Sequence, residues 1–183
     1  MQIQPTRPRR QPRLVVFAGL PGTGKSTLAR LLADRLGAIW LRVDLIEASL
    51  LKAGIPRSFE TGLSAYVVAR DIAREHLNLH RDVIIDAVNG VEPARRMWRS
   101  VARECHASRF VVEVRCSDPV EHRRRIQSRR GPTPPLPAPS WEEVVQREYL
   151  PWKESVLSID GLNAPAENVS RVVDFLSKVK VRQ

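Results

Sequence analysis

Apolar and polar positions alternate in two patterns along the chain. Short, almost wholly apolar runs predict buried strands at 13–18 (RLVVFA), 38–43 (AIWLRV), 82–88 (DVIIDAV), 109–116 (RFVVEVRC) and 156–160 (VLSID). Between these runs apolar residues recur at helical spacing, which predicts helices at about 25–36, 45–53, 62–79, 93–105, 119–130, 141–150 and 166–180. Strands that are apolar throughout and alternate with helices indicate a parallel sheet covered on both faces. The pattern therefore predicts an α/β fold.

The loop after the first predicted strand carries the clearest chemical signal. Residues 19–27 read GLPGTGKST, and this Gly-x-x-x-x-Gly-Lys-Ser spacing is the Walker A phosphate-binding loop. Glycines let successive N–H groups point at phosphate oxygens, and the following helix adds the positive end of its dipole. We expect Lys25 to reach the β- and γ-phosphates and the Ser26 hydroxyl to bind Mg²⁺. The predicted nucleotide-binding residues are Gly19, Leu20, Pro21, Gly22, Thr23, Gly24, Lys25, Ser26 and Thr27.

A second metal ligand is predicted at the end of the third strand. Asp86 follows the apolar run VII, where a carboxylate near the phosphates can hold Mg²⁺ directly or through water. The alternative is that Asp86 only caps a turn.

Composition changes this picture only in part. The 183 residues carry a formal net charge of +10, with 25 arginines against five lysines. Such a charge can indicate a nucleic-acid partner, but aromatic residues, which stack on bases, make up only 5% of the chain. Nucleic acid is thus the less favoured partner. Cys105 and Cys116 lack metal-ligand spacing, which predicts reduced core thiols.

The chain divides into a tail and one domain. Residues 1–12 lack hydrophobic periodicity and predict a disordered basic tail, and 13–183 predict the domain. An arginine-rich lid is expected at about 119–140, where PTPPLPAP (132–139) forms a stiff connector. No run reaches the ~20 apolar residues of a membrane span, and LVVFAGL leads straight into the phosphate loop rather than to a signal-peptide cleavage site. We expect a cytoplasmic protein without a membrane partner.

Two classes of phosphate-loop protein are disfavoured because the sequence lacks their motifs. A GTPase needs Asn-Lys-x-Asp to read guanine, and no lysine here follows an asparagine. An AAA+ ring motor would be longer and would carry an acidic pair where Asp86 is followed by Ala87. A small kinase fits better.

The segments GLPGTGKST, RVDLIEASL, VIIDAV, RMWRSVA and VEVRCSDPVEHRRRIQSRR carry a family resemblance over roughly residues 13–180. The chain resembles the nucleoside-monophosphate-kinase-like branch of P-loop kinases, in particular the group with chloramphenicol phosphotransferase and zeta-toxin relatives. The resemblance implies a three-layer sandwich with a five-stranded parallel sheet in the order 2-3-1-4-5. It also implies ATP and Mg²⁺ as cofactors and transfer of the γ-phosphoryl group to a hydroxyl.

The resemblance also assigns roles to single residues. Asp44 matches the carboxylate that faces the acceptor hydroxyl, although it could instead cap the helix beginning at Leu45. Arg125 and Arg129 match the catalytic lid arginines, since planar cations stabilise charge on the moving phosphoryl group. In so arginine-rich a chain they could also be solvated surface charges. Further lid candidates are Arg123, Arg124 and Arg130, and residues 160–167 match the loop on the adenine side.

The acceptor is left open by the sequence. A small hydroxylated molecule such as an antibiotic, sugar or nucleoside is favoured, and a polynucleotide 5′-hydroxyl kinase, an RNA-binding protein or a nucleotide-binding regulator are the alternatives. Whether the chain forms a homo-oligomer also stays open. The candidates on the acceptor side are Arg42, Glu47, Arg57, Tyr66, Arg70, Asn89 and Arg95.

Overall fold

A computed structural model describes residues 10–128 and 139–178. In it, each of the five apolar runs contains a strand. The strands are β1 (Arg13–Ala18), β2 (Ile39–Arg42), β3 (Val83–Asp86), β4 (Ser108–Arg115) and β5 (Leu157–Asp160). The helices are α1 (Lys25–Leu36), α2 (Val43–Lys52), α3 (Phe59–Asn78), α4 (Glu92–Glu104), α5 (Pro119–Ser128), α6 (Trp141–Val145) and α7 (Pro165–Lys178).

The sheet places the phosphate loop at its centre. All neighbouring strands pair in parallel, and their order is β2-β3-β1-β4-β5. The order expected from the resemblance is confirmed. In register, Phe17 lies beside Asp86 on one side and Val112 on the other. The loop after β1 therefore emerges between the carboxyl ends of β3 and β4, where ligands bind in such sheets.

Two apolar layers hold the sheet between helices. On one face Leu14, Val16 and Ile85 pack with residues of α3 and α4, including Trp98. On the other face Val15, Phe17 and Val112 pack with residues of α1 and α7. Alternate residues of each strand thus face opposite layers, which makes the three-layer sandwich and fixes the strand ends that carry the site.

Some boundaries differ from the predicted ones. α2 begins at Val43, which the sequence assigned to the strand, because Val43 is buried in the core beside α3. α6 begins with a capping box of Ser140 and Glu143 but ends at Val145 rather than at the predicted residue 150. Its chain then turns to contact the loop after β3, since the Leu150 N–H donates to Gly90 O at 2.9 Å.

The domain begins before residue 13. Arg10 forms an ion pair with the buried Asp82, and the carbonyl of the buried Pro12 accepts a hydrogen bond from the Ser108 N–H at 2.9 Å. The last residues of the predicted tail are therefore part of the fold, while residues 1–9 lie outside the described residues.

Both cysteines are free thiols, Cys105 buried and Cys116 only half-buried. The prediction of reduced thiols agrees with this, but only Cys105 belongs to the core. Burial raises the pKa of the Cys105 thiol above its ordinary value. Across 10–128 and 139–178, none of the helices combines the length and apolar character needed to cross a membrane.

Candidate functional site

The loop between β1 and α1 has the conformation that phosphate binding requires. Gly22 and Gly24 have φ values of 87° and 97°, in the left-handed region that glycine tolerates. Within the loop the Thr23 hydroxyl donates to Leu20 O at 3.0 Å. Gly24 is the N-cap of α1 and provides no side-chain cap, so the first N–H groups of the helix are left to an external acceptor.

Neighbouring elements fix the loop by close backbone contact. A Cβ at Gly19 would lie 2.2 Å from Val114 O on β4, and a Cβ at Gly161, just after β5, would lie 1.9 Å from Thr23 O. On α5, His122 Nε2 lies 2.7 Å from Pro21 O. Because a carbonyl oxygen only accepts, this contact assigns the proton to Nε2. The sequence reasoning missed His122, although its spacing from Ile126 places both on one face of α5.

The predicted loop side chains follow at the start of α1. Lys25 is buried, with 4% of its surface exposed, whereas Ser26 is half-buried and Thr27 is exposed. Lys25 lies close enough to Asp86 to lower the pKa of that carboxyl by charge. The structure thus brings the predicted phosphate ligand and the predicted metal ligand together.

Asp86 is a buried carboxylate with unfilled hydrogen-bonding capacity. Asp86 is the last residue of β3, and only 3% of its surface is exposed. Its Oδ2 has no hydrogen-bond partner. Arg42 forms a long ion pair with it: the Arg42 Nε lies 3.9 Å from Oδ2 and is itself without a hydrogen bond. Burial raises the pKa of Asp86, while Lys25, Ser26 and Arg42 lower it and Asp44 raises it further.

These groups fit Mg²⁺. A hydroxyl, Ser26, and an orphaned carboxylate oxygen, that of Asp86, are hard oxygen donors at one point beside the loop. Within the described part of the chain no three His, Cys, Asp or Glu side chains cluster as a metal cage. Mg²⁺ that is bound with a nucleotide needs only one or two such ligands, because phosphates and water supply the rest.

Asp44 lies in the first turn of α2. The N-cap of α2 is Arg42, and no side chain caps the helix, so the alternative that Asp44 caps a helix beginning at Leu45 is wrong. The charge of Asp44 raises the pKa of both Asp86 and Tyr66. The Asp44 carboxylate therefore lies within electrostatic reach of both the candidate metal ligand and the Tyr66 phenol of α3.

A cavity of about 250 Å³ adjoins the phosphate loop at Gly22 and Gly24 and extends to the segment after β5 at Gly161. Arg125 reaches into its wall, donating to Gly161 O at 3.0 Å and to Glu121 Oε1 at 2.7 Å. The arginines around Glu121 lower the pKa of that carboxyl to about 2. The cavity is lined by Gly22, Gly24, Thr27, Leu28, Arg125, Ser128, Gly161, Asn163, Pro165 and Asn168.

The lid is described only at its two stems. Arg125 borders the loop, because its Nη1 would lie 3.8 Å from a Cβ at Gly24, and it stays a candidate for the transfer step. Arg123 is exposed, and Arg124 is exposed and pairs with Glu121. Arg129 and Arg130 lie outside the described residues.

The acceptor-side candidates separate into two groups. Arg95 and Asn89 are buried and bonded within the protein, Arg57 is exposed, and Arg70 pairs with Asp71. Tyr66 and Glu47 lie near Asp44: burial raises the pKa of Tyr66, and the charges of Asp44 and Glu47 raise it further. Arg147, which sequence reasoning did not consider, lies near the same phenol and lowers its pKa.

The loop, the buried lysine and the sheet order define a P-loop protein with a kinase-like fold. The family model described as an AAA domain matches residues 14–149, and the chain belongs to that family. In this chain Asp86 is followed by the buried Ala87 rather than by a second acidic residue, and the exclusion of a ring motor stays a prediction.

Relatives and solved structures agree with the fold. An uncharacterised protein of Mycobacterium tuberculosis is 34% identical over 131 residues, which are 65% of this chain and 26% of that protein. The chain thus spans about a quarter of the length of this relative. Shikimate kinase of Clostridium beijerinckii is 32% identical over 77 residues, 42% of this chain and 46% of that enzyme. The structure of the Mycobacterium tuberculosis APS kinase CysC in complex with AMPPNP and APS superposes with a TM-score of 0.72 at 19% identity, covering 92% and 99% of the two chains.

Proposed function

We propose that the protein is an ATP- and Mg²⁺-dependent phosphotransferase that moves the γ-phosphoryl group to a hydroxyl of a small molecule. The observation that carries the proposal is the buried Asp86 carboxylate beside the phosphate loop, which has an unpartnered oxygen and whose pKa responds to Lys25, Ser26 and Asp44. A phosphate ligand, two metal-ligand candidates and a carboxylate for the acceptor thus lie within electrostatic reach of one another.

Each residue has a role in this reaction. Lys25 and the N–H groups of the loop bind the β- and γ-phosphates, and Ser26 and Asp86 hold Mg²⁺, which neutralises phosphate charge. Asp44 accepts the hydroxyl proton while the acceptor oxygen bonds to the γ-phosphorus and the bond to the ADP oxygen breaks. The cavity beside Gly161 is of a size to receive part of the nucleotide away from its phosphates. The AMPPNP complex of the APS kinase supports ATP as the donor.

The polar groups on the acceptor side support a small molecule. There the carboxylates of Asp44 and Glu47 and the guanidinium of Arg147 all act on the pKa of one phenol, that of Tyr66. Such a mixed set can hydrogen-bond a neutral or zwitterionic polyhydroxylated acceptor, whereas a polyanion would face the two carboxylates. Nucleic acid is therefore the less favoured acceptor despite the net charge of +10. Two free thiols further support a reducing compartment such as the cytoplasm.

A label-transfer screen tests the proposal. The protein is incubated with Mg²⁺ and γ-phosphate-labelled ATP in the presence of aminoglycosides, phenicols, sugars, nucleosides or 5′-hydroxyl oligonucleotides. We expect label on one class of small molecule, and none with the Lys25→Ala variant. Transfer to oligonucleotides alone would make the protein a polynucleotide kinase. Tight ATP binding without transfer to any acceptor would make it a nucleotide-binding regulator.

A further inference from the structure

The buried arginine of α4 has an unusual set of partners. Arg95 has 3% of its surface exposed, and the hydrogen bonds of its guanidinium go to backbone carbonyls: Asn89 O at 3.0 Å, Leu150 O and Pro151 O. Its guanidinium carbon lies 3.8 Å from the ring centroid of Trp152. Carbonyl dipoles and an aromatic face thus balance the buried charge.

These partners belong to two segments that are far apart in sequence. Asn89 lies in the loop after β3, whereas residues 146–152, here called the arm, belong to the connection between α6 and β5. The Leu150 N–H donates to Gly90 O at 2.9 Å, and a Cβ at Gly90 would lie 2.8 Å from Glu148 O. The arm therefore rests directly on the loop after β3, and Arg95 joins the two from within.

Asn89 extends the connection to the phosphate loop and to the acceptor side. It is fully buried with φ of 50°, its Nδ2 donates to Phe17 O at 2.8 Å, and its Oδ1 accepts from Trp98 Nε1 at 2.8 Å. Its backbone N–H donates to the Tyr66 hydroxyl at 3.4 Å. One buried residue thus contacts the strand before the phosphate loop, the phenol near Asp44 and, through its carbonyl, Arg95.

We propose that Arg95 is a positioning residue that fixes the arm at 146–152 against the loop after β3 and so holds the backbone of Asn89 at the Tyr66 hydroxyl on the acceptor side. Arg95 itself is buried and does not touch the acceptor. It acts through the backbone carbonyls of Leu150 and Pro151 on the arm. The proposal rests on the proposed function for what the arm does, but the position of the arm can be tested without it.

Hydrogen exchange tests the position of the arm directly. We would compare wild type with Arg95→Met, which keeps an unbranched apolar side chain but loses the charge and the donors, and with Arg96→Met, at an exposed neighbour on the same helix. Arg95→Met should speed exchange of the Leu150 amide by about tenfold or more, since an opened arm exposes it, while exchange in β1 stays unchanged. Arg96→Met should leave both unchanged. If Arg95→Met does not fold, Trp152→Leu takes its place. This variant removes the ring stacked on Arg95 and should likewise speed hydrogen exchange of the Leu150 amide.

Kinetics test what the arm does. With an accepted substrate, Arg95→Met should raise the acceptor KM by about tenfold and keep the ATP Kd within about twofold, and Arg95→Lys should lie between it and wild type. Unchanged exchange at Leu150 in a folded variant, or equal acceleration in β1, would overturn the proposal. An altered arm with an unchanged acceptor KM would overturn the role of the arm. The hydrogen-exchange experiment needs no acceptor, so it tests the position of the arm even if the protein is not a kinase.

Discussion

Replacement of Asp44 is the variant that best separates an effect on the transfer step from effects on nucleotide binding and on stability. It lies in the first turn of α2 without capping that helix, and its charge acts on both Asp86 and Tyr66. Asp44→Asn keeps the shape of the side chain but cannot accept a proton. The transfer rate should therefore fall by about a hundredfold or more, which is the usual contribution of a positioned general base.

The cost in stability should be small, because no cap is lost. Only the attraction between a carboxylate and the N-terminal end of the helix dipole disappears, about 0.3–1 kcal/mol. For a chain of this size that corresponds to a decrease in Tm of about 1–4 °C. Asp44→Ala should lose the same amount, whereas a capping role would have made alanine distinctly worse than asparagine.

Two measurements check this prediction. Single-turnover transfer gives the chemical rate, and calorimetric titration with ATP and Mg²⁺ should give a Kd within about twofold of wild type. Asp34→Asn is the matched control, since it removes an exposed carboxylate on α1 that pairs with Arg30 at 3.4 Å. If Asp44→Asn transferred phosphate at nearly the wild-type rate, the proton would have another acceptor and Asp44 would not be catalytic.

Three further variants test the rest of the site. Lys25→Ala should abolish transfer because the β- and γ-phosphates lose their buried cation; near-normal turnover would refute the kinase proposal. Burial raises the pKa of Asp86, so its charge destabilises the metal-free fold at neutral pH. Asp86→Asn should therefore be more stable than wild type at neutral pH. Denaturation at several pH values should show this difference in stability vanishing as the pH falls towards about 4, where the carboxyl of the wild type is protonated. Gly161→Ala should weaken ATP binding at least about tenfold in calorimetry, because its Cβ would meet Thr23 O at 1.9 Å, whereas Gly62→Ala has open space and should leave binding unchanged.

The phosphate loop and the fold were predictable because their signals are local. The spacing of Gly19, Gly24 and Lys25 specifies a backbone conformation within a few residues, and apolar runs specify strands of a buried parallel sheet. Asp86 could be placed near the loop for the same reason, since strands of a parallel sheet end at one edge.

The start of α2 was misplaced because tertiary packing decided it. Val43 is β-branched and continues an apolar run, which favours a strand. In the structure Val43 is buried with Ala65 and Ala69 of α3 in one core layer, and the helix starts directly after Arg42. The helix therefore begins two residues earlier than predicted, and Asp44 lies inside its first turn instead of at its N-cap.

Arg95 could not be understood from its neighbours in the sequence. Its carbonyl partners at Leu150 and Pro151 lie 55 and 56 positions away, and they are backbone atoms, which leave no mark on residue type. In the sequence Arg95 was one of several arginines suited to the acceptor side. Only the fold shows that its guanidinium is enclosed within the protein, so the acceptor must be read by other side chains.

The pairing of Arg42 with Asp86 argues that this edge of the sheet is built for a ligand. The two residues are register partners on β2 and β3, so their backbones could support a close ion pair. Instead, Nε and Oδ2 lie 3.9 Å apart, both are buried, and neither has a hydrogen bond. A buried carboxylate left in this way costs stability, and it is directed towards Lys25 and Ser26. The fold tolerates that cost where a cation and phosphate can remove it, which is the expected behaviour of a site rather than of a core.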